Sequence, residues 1–177
     1  MTEFKFATKG NASPQGKPRV YFTCHPEDFD KYFDGIREDI FKNSNCVIYY
    51  TENLIDEIED EYKETDLGQV NLFVIPITLK LLTGPNRAMD SDYAYANQNR
   101  IPVLPIMMEP GLDVIYSAPD KFGERQYLNP FSTDITAIGY EEKLRKYLES
   151  VLVSDETAKR VRAAFDAYIF LDRKSVV

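Results

Sequence analysis

Two apolar runs, VNLFVIPI (Val70–Ile77) and IPVLPIMM (Ile101–Met108), constrain this chain more than any other feature. Each is nearly continuous, too short for a typical helix and bounded by polar turns, the pattern of a strand buried on both faces. The segment between them, LKLLTGPNRAMDSDYAYANQNR, breaks at Gly84-Pro85 and then resumes a helical spacing. Two strands joined through a helix form a crossover unit, which makes them parallel neighbours. A parallel sheet has to be covered on both faces, so the remaining chain is expected to supply helices.

It does so in order. Arg19–Thr23 (RVYFT) reads as a first strand, and His25-Pro26-Glu27-Asp28 as a helix start, with proline in the first turn and acids where the helix dipole favours them. Phe29, Tyr32, Phe33, Ile36, Ile40 and Phe41 then recur at three- and four-residue spacing, an amphipathic stripe that fades near Asn43-Ser44-Asn45. Cys46–Tyr50 (CVIYY) is the second strand, and Leu54, Ile55, Ile58 and Tyr62 mark a short acidic helix before Gly68. After Met108 the chain breaks at Glu109-Pro110-Gly111, Leu112–Tyr116 makes one helical turn, and Gln126–Leu128 is a short fifth strand. Tyr140–Val153 is a strong helix with Leu144, Tyr147, Leu148, Val151 and Leu152 as its buried stripe. Strands alternating with helices predict an α/β fold, a flavodoxin-like three-layer sandwich on a five-stranded parallel sheet of order 2-1-3-4-5.

A chain of 177 residues is one domain's worth. Residues 1–17 lack periodicity and are expected to be a flexible arm, residues 18–153 the α/β domain, and residues 154–177 a C-terminal helix followed by the strand-like run AYIFL, which has no helix after it and is possible as the start of a second module. A net charge of −8, from 29 acidic and 21 basic residues, argues against a nucleic acid or an anionic membrane as partner. No apolar run approaches the ~20 residues that cross a bilayer, and no signal-peptide pattern opens the chain, so a cytoplasmic location is expected. Two cysteines and one histidine exclude a rich metal site or a disulfide scaffold. Cys24 ends one strand and Cys46 begins its neighbour, too far apart to bridge, and both are expected to stay reduced.

The segments RVYFTCHPEDF (Arg19–Phe29), CVIYY, VNLFVIPIT and above all NRAMDSDYAYANQNRIPVLPIMMEPGL (Asn86–Leu112) resemble the bacterial Toll/interleukin-1 receptor (TIR) domains. The likeness is to the first TIR-like module of bacterial proteins that carry two such modules followed by tetratricopeptide repeats. FDAYIFLDRK (Phe165–Lys174) is similar to the opening of the second module. The resemblance implies the five-strand flavodoxin-like order reached above, a role in bacterial defence or signalling, and self-association through TIR surfaces. It also implies one of two activities. Many members hydrolyse the nicotinamide–ribose bond of NAD+, with NAD+ as substrate and no cofactor, whereas others are non-catalytic interaction modules.

Open α/β sheets bind ligands beyond the carboxyl ends of their strands. Here that rim comprises Thr23-Cys24-His25, Tyr50–Asn53, Thr78 and Met108-Glu109, with Thr23, Cys24, His25, Tyr50, Glu52 and Thr78 as the candidate substrate contacts. TIR enzymes carry a glutamate on the third helix, three residues after a Trp-Cys pair. The resemblance places Asp92 at that glutamate, with Ala88 and Met89 in place of the pair. Cleavage of nicotinamide from ribose passes through an oxocarbenium-like sugar, and the pyridine departs neutral, so one carboxylate against the ribose is enough to stabilise the developing charge. Aspartate is shorter than glutamate by about 1.5 Å. Misplacement on the order of 1 Å costs roughly a hundredfold in rate, which weakens the implied activity.

Structural roles compete with each candidate. Asp90 after Gly84-Pro85 is a plausible helix N-cap, which leaves Asp92 as a first-turn acid favoured by the dipole alone. Met89, Asp92 and Ala96 share a helix face, so the same acid also reaches the sheet rim. His25 fits a boundary residue before a helix-opening proline, Tyr50 and Phe22 fit core aromatics as well as adenine-stacking rings, and Glu109 fits a turn. The run Asp56–Asp66 reads as a solvated helix face, and Glu52–Leu54 stays open as an assembly loop. Among non-TIR functions, a nucleoside-processing transferase shares the sheet and the carboxylate chemistry. No glycine-rich phosphate loop or Ser/His/Asp arrangement is present.

Overall fold

The computed structural model describes residues 4–51, 67–131 and 139–152. The expected acidic second helix, Glu52 and the 154–177 tail lie outside these residues. Among the described residues the sheet has five strands: β1 (Lys5–Thr8), β2 (Arg19–Phe22), β3 (Val47–Tyr50), β4 (Leu72–Ile77) and β5 (Val103–Met107), in the spatial order β1-β3-β2-β4-β5. The four strands β3, β2, β4 and β5 run parallel, in the arrangement expected for the second, first, third and fourth strands.

Two expectations are corrected. The sheet is mixed rather than all-parallel, because Lys5–Thr8 pairs antiparallel with β3 (Lys5 opposite Tyr50, Thr8 opposite Val47) in a stretch expected to be part of a flexible arm. The fifth parallel strand is reduced to a single bridge. Leu128 lies beside Ile106, accepting from the Met107 N–H at 2.8 Å and donating to the Pro105 carbonyl at 3.0 Å. The fold is therefore α/β on a five-stranded mixed sheet, compatible with a flavodoxin-like arrangement.

Alternation along the strands sorts the core into two halves. Tyr21, Phe73, Ile75, Ile77, Val103 and Met107 face one side, while Val20, Phe22, Leu72, Val74, Leu104 and Ile106 face the other. Helix α1 (Phe29–Asn43) covers the second side with Phe33, Ile36 and Ile40 buried and Phe29, Tyr32 and Phe41 packed at its margin, the stripe read from spacing. Each fully buried side chain of this kind contributes roughly 1.5–3 kcal/mol. The helix stops where Ser44 turns extended and donates its N–H to the Ile40 carbonyl at 2.9 Å.

The first side is covered by short α2 (Leu79–Leu82), by a helix that starts with a π-helical turn at Ala88–Tyr93 and continues as α3 (Ala94–Gln98), and by α4 (Asp113–Tyr116) with Phe122. Helix α5 (Tyr140–Val151) lies beside α1, with Leu144 and Leu148 buried and Arg145 held between Glu142 and Glu149.

β4 holds a proline, Pro76, in its interior, which a central strand ordinarily excludes because the residue has no N–H for the ladder. Phe73 N–H donates to Pro102 on the β5 side, whereas the Val74 carbonyl accepts from Thr23 N–H on the β2 side. Position 76 accordingly faces β2, at the point where β2 has already ended.

Candidate functional site

The carboxyl ends of the four parallel strands form one edge, and a set of buried polar side chains gathers there: Thr23, Asp28, Thr51, Thr78, Asn86, Arg87 and Asp92. Asp92 is fully buried. Tyr21 and Thr23 stand two residues apart on the sheet face under the π-helical turn. The Thr23 hydroxyl donates to Asp92 Oδ2 at 2.7 Å, and the Tyr21 hydroxyl approaches the same oxygen at 3.4 Å. Arg87, itself buried, brings Nη2 to 3.6 Å from Asp92 Oδ1 and donates to the Tyr21 hydroxyl at 3.2 Å. Burial drives the Tyr21 phenol well above its ordinary pKa, the Asp92 charge adds to that, and the Arg87 charge opposes it.

Arg87 and Asp92 are five residues apart. In an α-helix, at 3.6 residues per turn, that spacing points side chains about 140° apart. The π turn between them, with its i→i+5 bonding, brings residues at this spacing round to the same side. Such turns recur at functional sites.

The helix start that aims Asp92 is built by Asn86. Its Oδ1 accepts from the Met89 N–H at 3.0 Å, and its Nδ2 donates to the carbonyls of Leu81 (2.9 Å) and Gly84 (3.2 Å). Asp90 reaches back to the Asn86 N–H at 3.0 Å. The cap is therefore Asn86, not Asp90 as the sequence suggested, and Asp92 is spent on neither a cap nor the outer surface.

The remaining candidates separate. Cys24 joins Thr23, Pro26, Arg87, Ala88 and Asp92 around a cavity of about 10 Å³, room for at most one water. Its thiol is pushed far up by burial, with the Asp28 and Asp92 charges adding to the shift, so it is no thiolate nucleophile. Cys46 is likewise free and buried. His25 turns its Nδ1 to the Glu27 N–H at 3.1 Å, the boundary role. Tyr50, half-buried, packs on Phe33 at the margin of the core with ring centroids 4.4 Å apart, and Phe22 is a core aromatic buried against Phe33 at 5.1 Å.

Thr78 sits at a second point on the rim. Its hydroxyl donates to Asp28 Oδ2 at 2.5 Å and accepts from the Leu81 N–H at 3.2 Å, capping α2. Glu109 Oε1 accepts from the Leu79 N–H at 2.6 Å. Neither touches Asp92 by any of these bonds. Sequence reasoning missed Tyr21, Arg87 and Asp28 as members of the rim. Arg87 lay inside the quoted NRAMDSD segment, but only the π turn reveals its partner. Asp28 reads from the sequence only as a first-turn acid favoured by the helix dipole.

A second cleft, of about 360 Å³, opens at the opposite, amino ends of the strands, between Lys17, Pro18, Asn43, Ser44, Leu148 and Glu149. It adjoins Leu152, the last described residue. Among the described residues no three His, Cys, Asp or Glu side chains converge as a metal site, and no helix is long and apolar enough to cross a membrane.

Compared with models of known protein families and with the sequences of curated proteins, the chain matches none.

Proposed function

We propose that this chain is a TIR-type module, on a flavodoxin-like parallel core, that binds NAD+ at the rim around Asp92 and cleaves its nicotinamide–ribose bond in bacterial defence signalling. The observation that supports this reading is the position of Asp92: a carboxylate drawn to the sheet side of its helix, over the carboxyl end of β2, where open α/β sheets take their ligands. Thr23 fixes one oxygen of that carboxylate, and preorganised charge in a water-poor site is what an oxocarbenium-like transition state needs. No acid is required for the leaving group. No cofactor enters the proposal, and the domain works as an assembly of its own copies.

The test is nicotinamide release from NAD+ by micromolar protein. Turnover that disappears in Asp92→Ala is expected. Turnover unchanged in that variant refutes the assignment.

A second reading, a non-catalytic TIR interaction module, is favoured by one specific observation: the space beside Asp92 is only about 10 Å³ and its charge is already paired with Arg87. It predicts a concentration-dependent oligomer in light scattering that survives Asp92→Ala, with no nicotinamide released at any concentration.

A further inference from the structure

We infer that Arg87 is an internal cation occupying the ligand's place at Asp92, so that this site takes a compact planar cation and admits it by exchange with the Arg87 guanidinium. The inference rests on the proposed reading that Asp92 meets the ligand, and it names the ligand's charge and the device that keeps the site closed.

Three observations carry it. First, the guanidinium and the carboxylate are both buried, 3.6 Å apart, and both line the same cavity of about 10 Å³. A ring-sized ligand has no room until the guanidinium leaves. Second, whatever replaces the guanidinium has to restore the charge balance. A buried carboxylate stripped of its counter-ion is strongly unfavourable. Among the described residues, Asp28 adds a further negative charge near this cavity, where burial first and then the Asp28 and Asp92 charges raise the Cys24 pKa. A neutral or anionic ligand takes the counter-ion from Asp92 and puts nothing in its place, whereas a planar cation substitutes like for like. The pyridinium of an oxidised nicotinamide nucleotide has that shape and charge.

Third, the pair is held together by helix geometry that can change. Arg87 and Asp92 face one another because the Ala88–Tyr93 turn is π-helical. Closing that turn to α geometry rotates Asp92 away from Arg87 by about 100°, one residue's worth of helix. The chain just ahead of the turn includes Gly84 at φ +130°, a conformation that side-chain-bearing residues rarely adopt.

The experiment uses the full chain and guanidinium chloride as probe, with sodium chloride at equal ionic strength as control. Arg87→Ala is expected to gain a saturable rise in thermal midpoint with low-millimolar guanidinium, and the wild type is not. Arg87→Ala is also expected to bind oxidised nicotinamide mononucleotide at least about tenfold more tightly than its reduced form, which carries the same phosphate but an uncharged ring. If Arg87→Ala does not fold, Arg87→Met, which keeps the apolar stem, is assayed with the two nucleotide forms alone, and the same preference is expected.

No guanidinium-specific stabilisation of Arg87→Ala, or equal binding of the two nucleotide forms, overturns the inference. NAD+ turnover by the wild type that vanishes in Arg87→Ala also overturns it and leaves the hydrolase reading intact. Guanidinium stabilisation of Arg87→Ala with no turnover by either protein supports the cation site and removes the hydrolase reading.

Discussion

Thr23 donates its hydroxyl to Asp92 across 69 residues of sequence, at 2.7 Å and with both side chains buried. That bond ties the end of β2 to the helix above it. Thr23→Val, which keeps the shape and removes the donor, is expected to cost about 1.5–3 kcal/mol, the usual worth of a hydrogen bond to a charged group. Thr23→Ser keeps the hydroxyl and is expected to cost less. Urea denaturation of the two variants checks this, and equal midpoints would contradict it.

The Arg87–Asp92 pair is expected to behave as a buried couple rather than a surface one. Arg87→Met or Asp92→Ala alone leaves a buried charge behind and should cost about 3–5 kcal/mol. The double variant should cost less than the sum, with a coupling of about 0.5–3 kcal/mol in a double-mutant cycle. An additive cycle would show that the two charges do not meet in solution.

Asn86 holds the start of the same helix through four hydrogen bonds, two to carbonyls, one from the Met89 N–H and one from its own N–H to Asp90. Asn86→Ala is expected to lose about 2 kcal/mol, the upper end for a cap, because its partners are largely buried. Asp90→Ala, which removes only one of these bonds, should lose less. Thermal unfolding of both variants gives the comparison.

Stability should fall in alkali. Burial pushes the Cys46 thiol up to about 11 and, with Asp39 and Glu141 adding, the Tyr140 phenol up to about 12. Both groups are neutral when protonated, and the unfolded chain releases these protons earlier, near about 8.5 for the thiol and about 10 for the phenol. The folded state thus holds more protons in that window. Its stability is full below about pH 8.5 and is lost as pH climbs toward the folded values. A urea midpoint measured from neutrality to about pH 11 should drop above about pH 9, and less steeply in Cys46→Ala.

β1 shields the edge of β3. Deleting residues 1–11 is expected to lose on the order of 1 kcal/mol per ladder bond and to expose the Val47–Tyr50 edge for pairing with other chains. Light scattering after mild heating should show aggregation of the truncated chain before the full one.

Much of this architecture could be read from spacing. The four parallel strands and the α1 stripe follow from apolar runs and three-to-four periodicity, signals that burial on both faces makes strong. Lys5–Thr8 escaped because its residues are exposed or half-buried, so an edge strand of four carries no apolar pattern. The fifth strand was overestimated because Leu128 alone bridges to Ile106. Met89, Asp92 and Ala96, grouped by the α period, are all buried. Arg87 did not enter that pattern, since a five-residue spacing meets only through a π turn, which sequence periodicity does not announce.

Pro76 gives the rim its shape by what it lacks. The seam between β2 and β4 closes rung by rung up to the Thr23 N–H, and the next stitch would need a donor at position 76 reaching for the Thr23 carbonyl. Proline offers none, so the zipper halts at Thr23, the first member of the polar cluster. Replacing Pro76 with valine would supply the missing tooth and cinch shut the fork in which Thr23 holds Asp92.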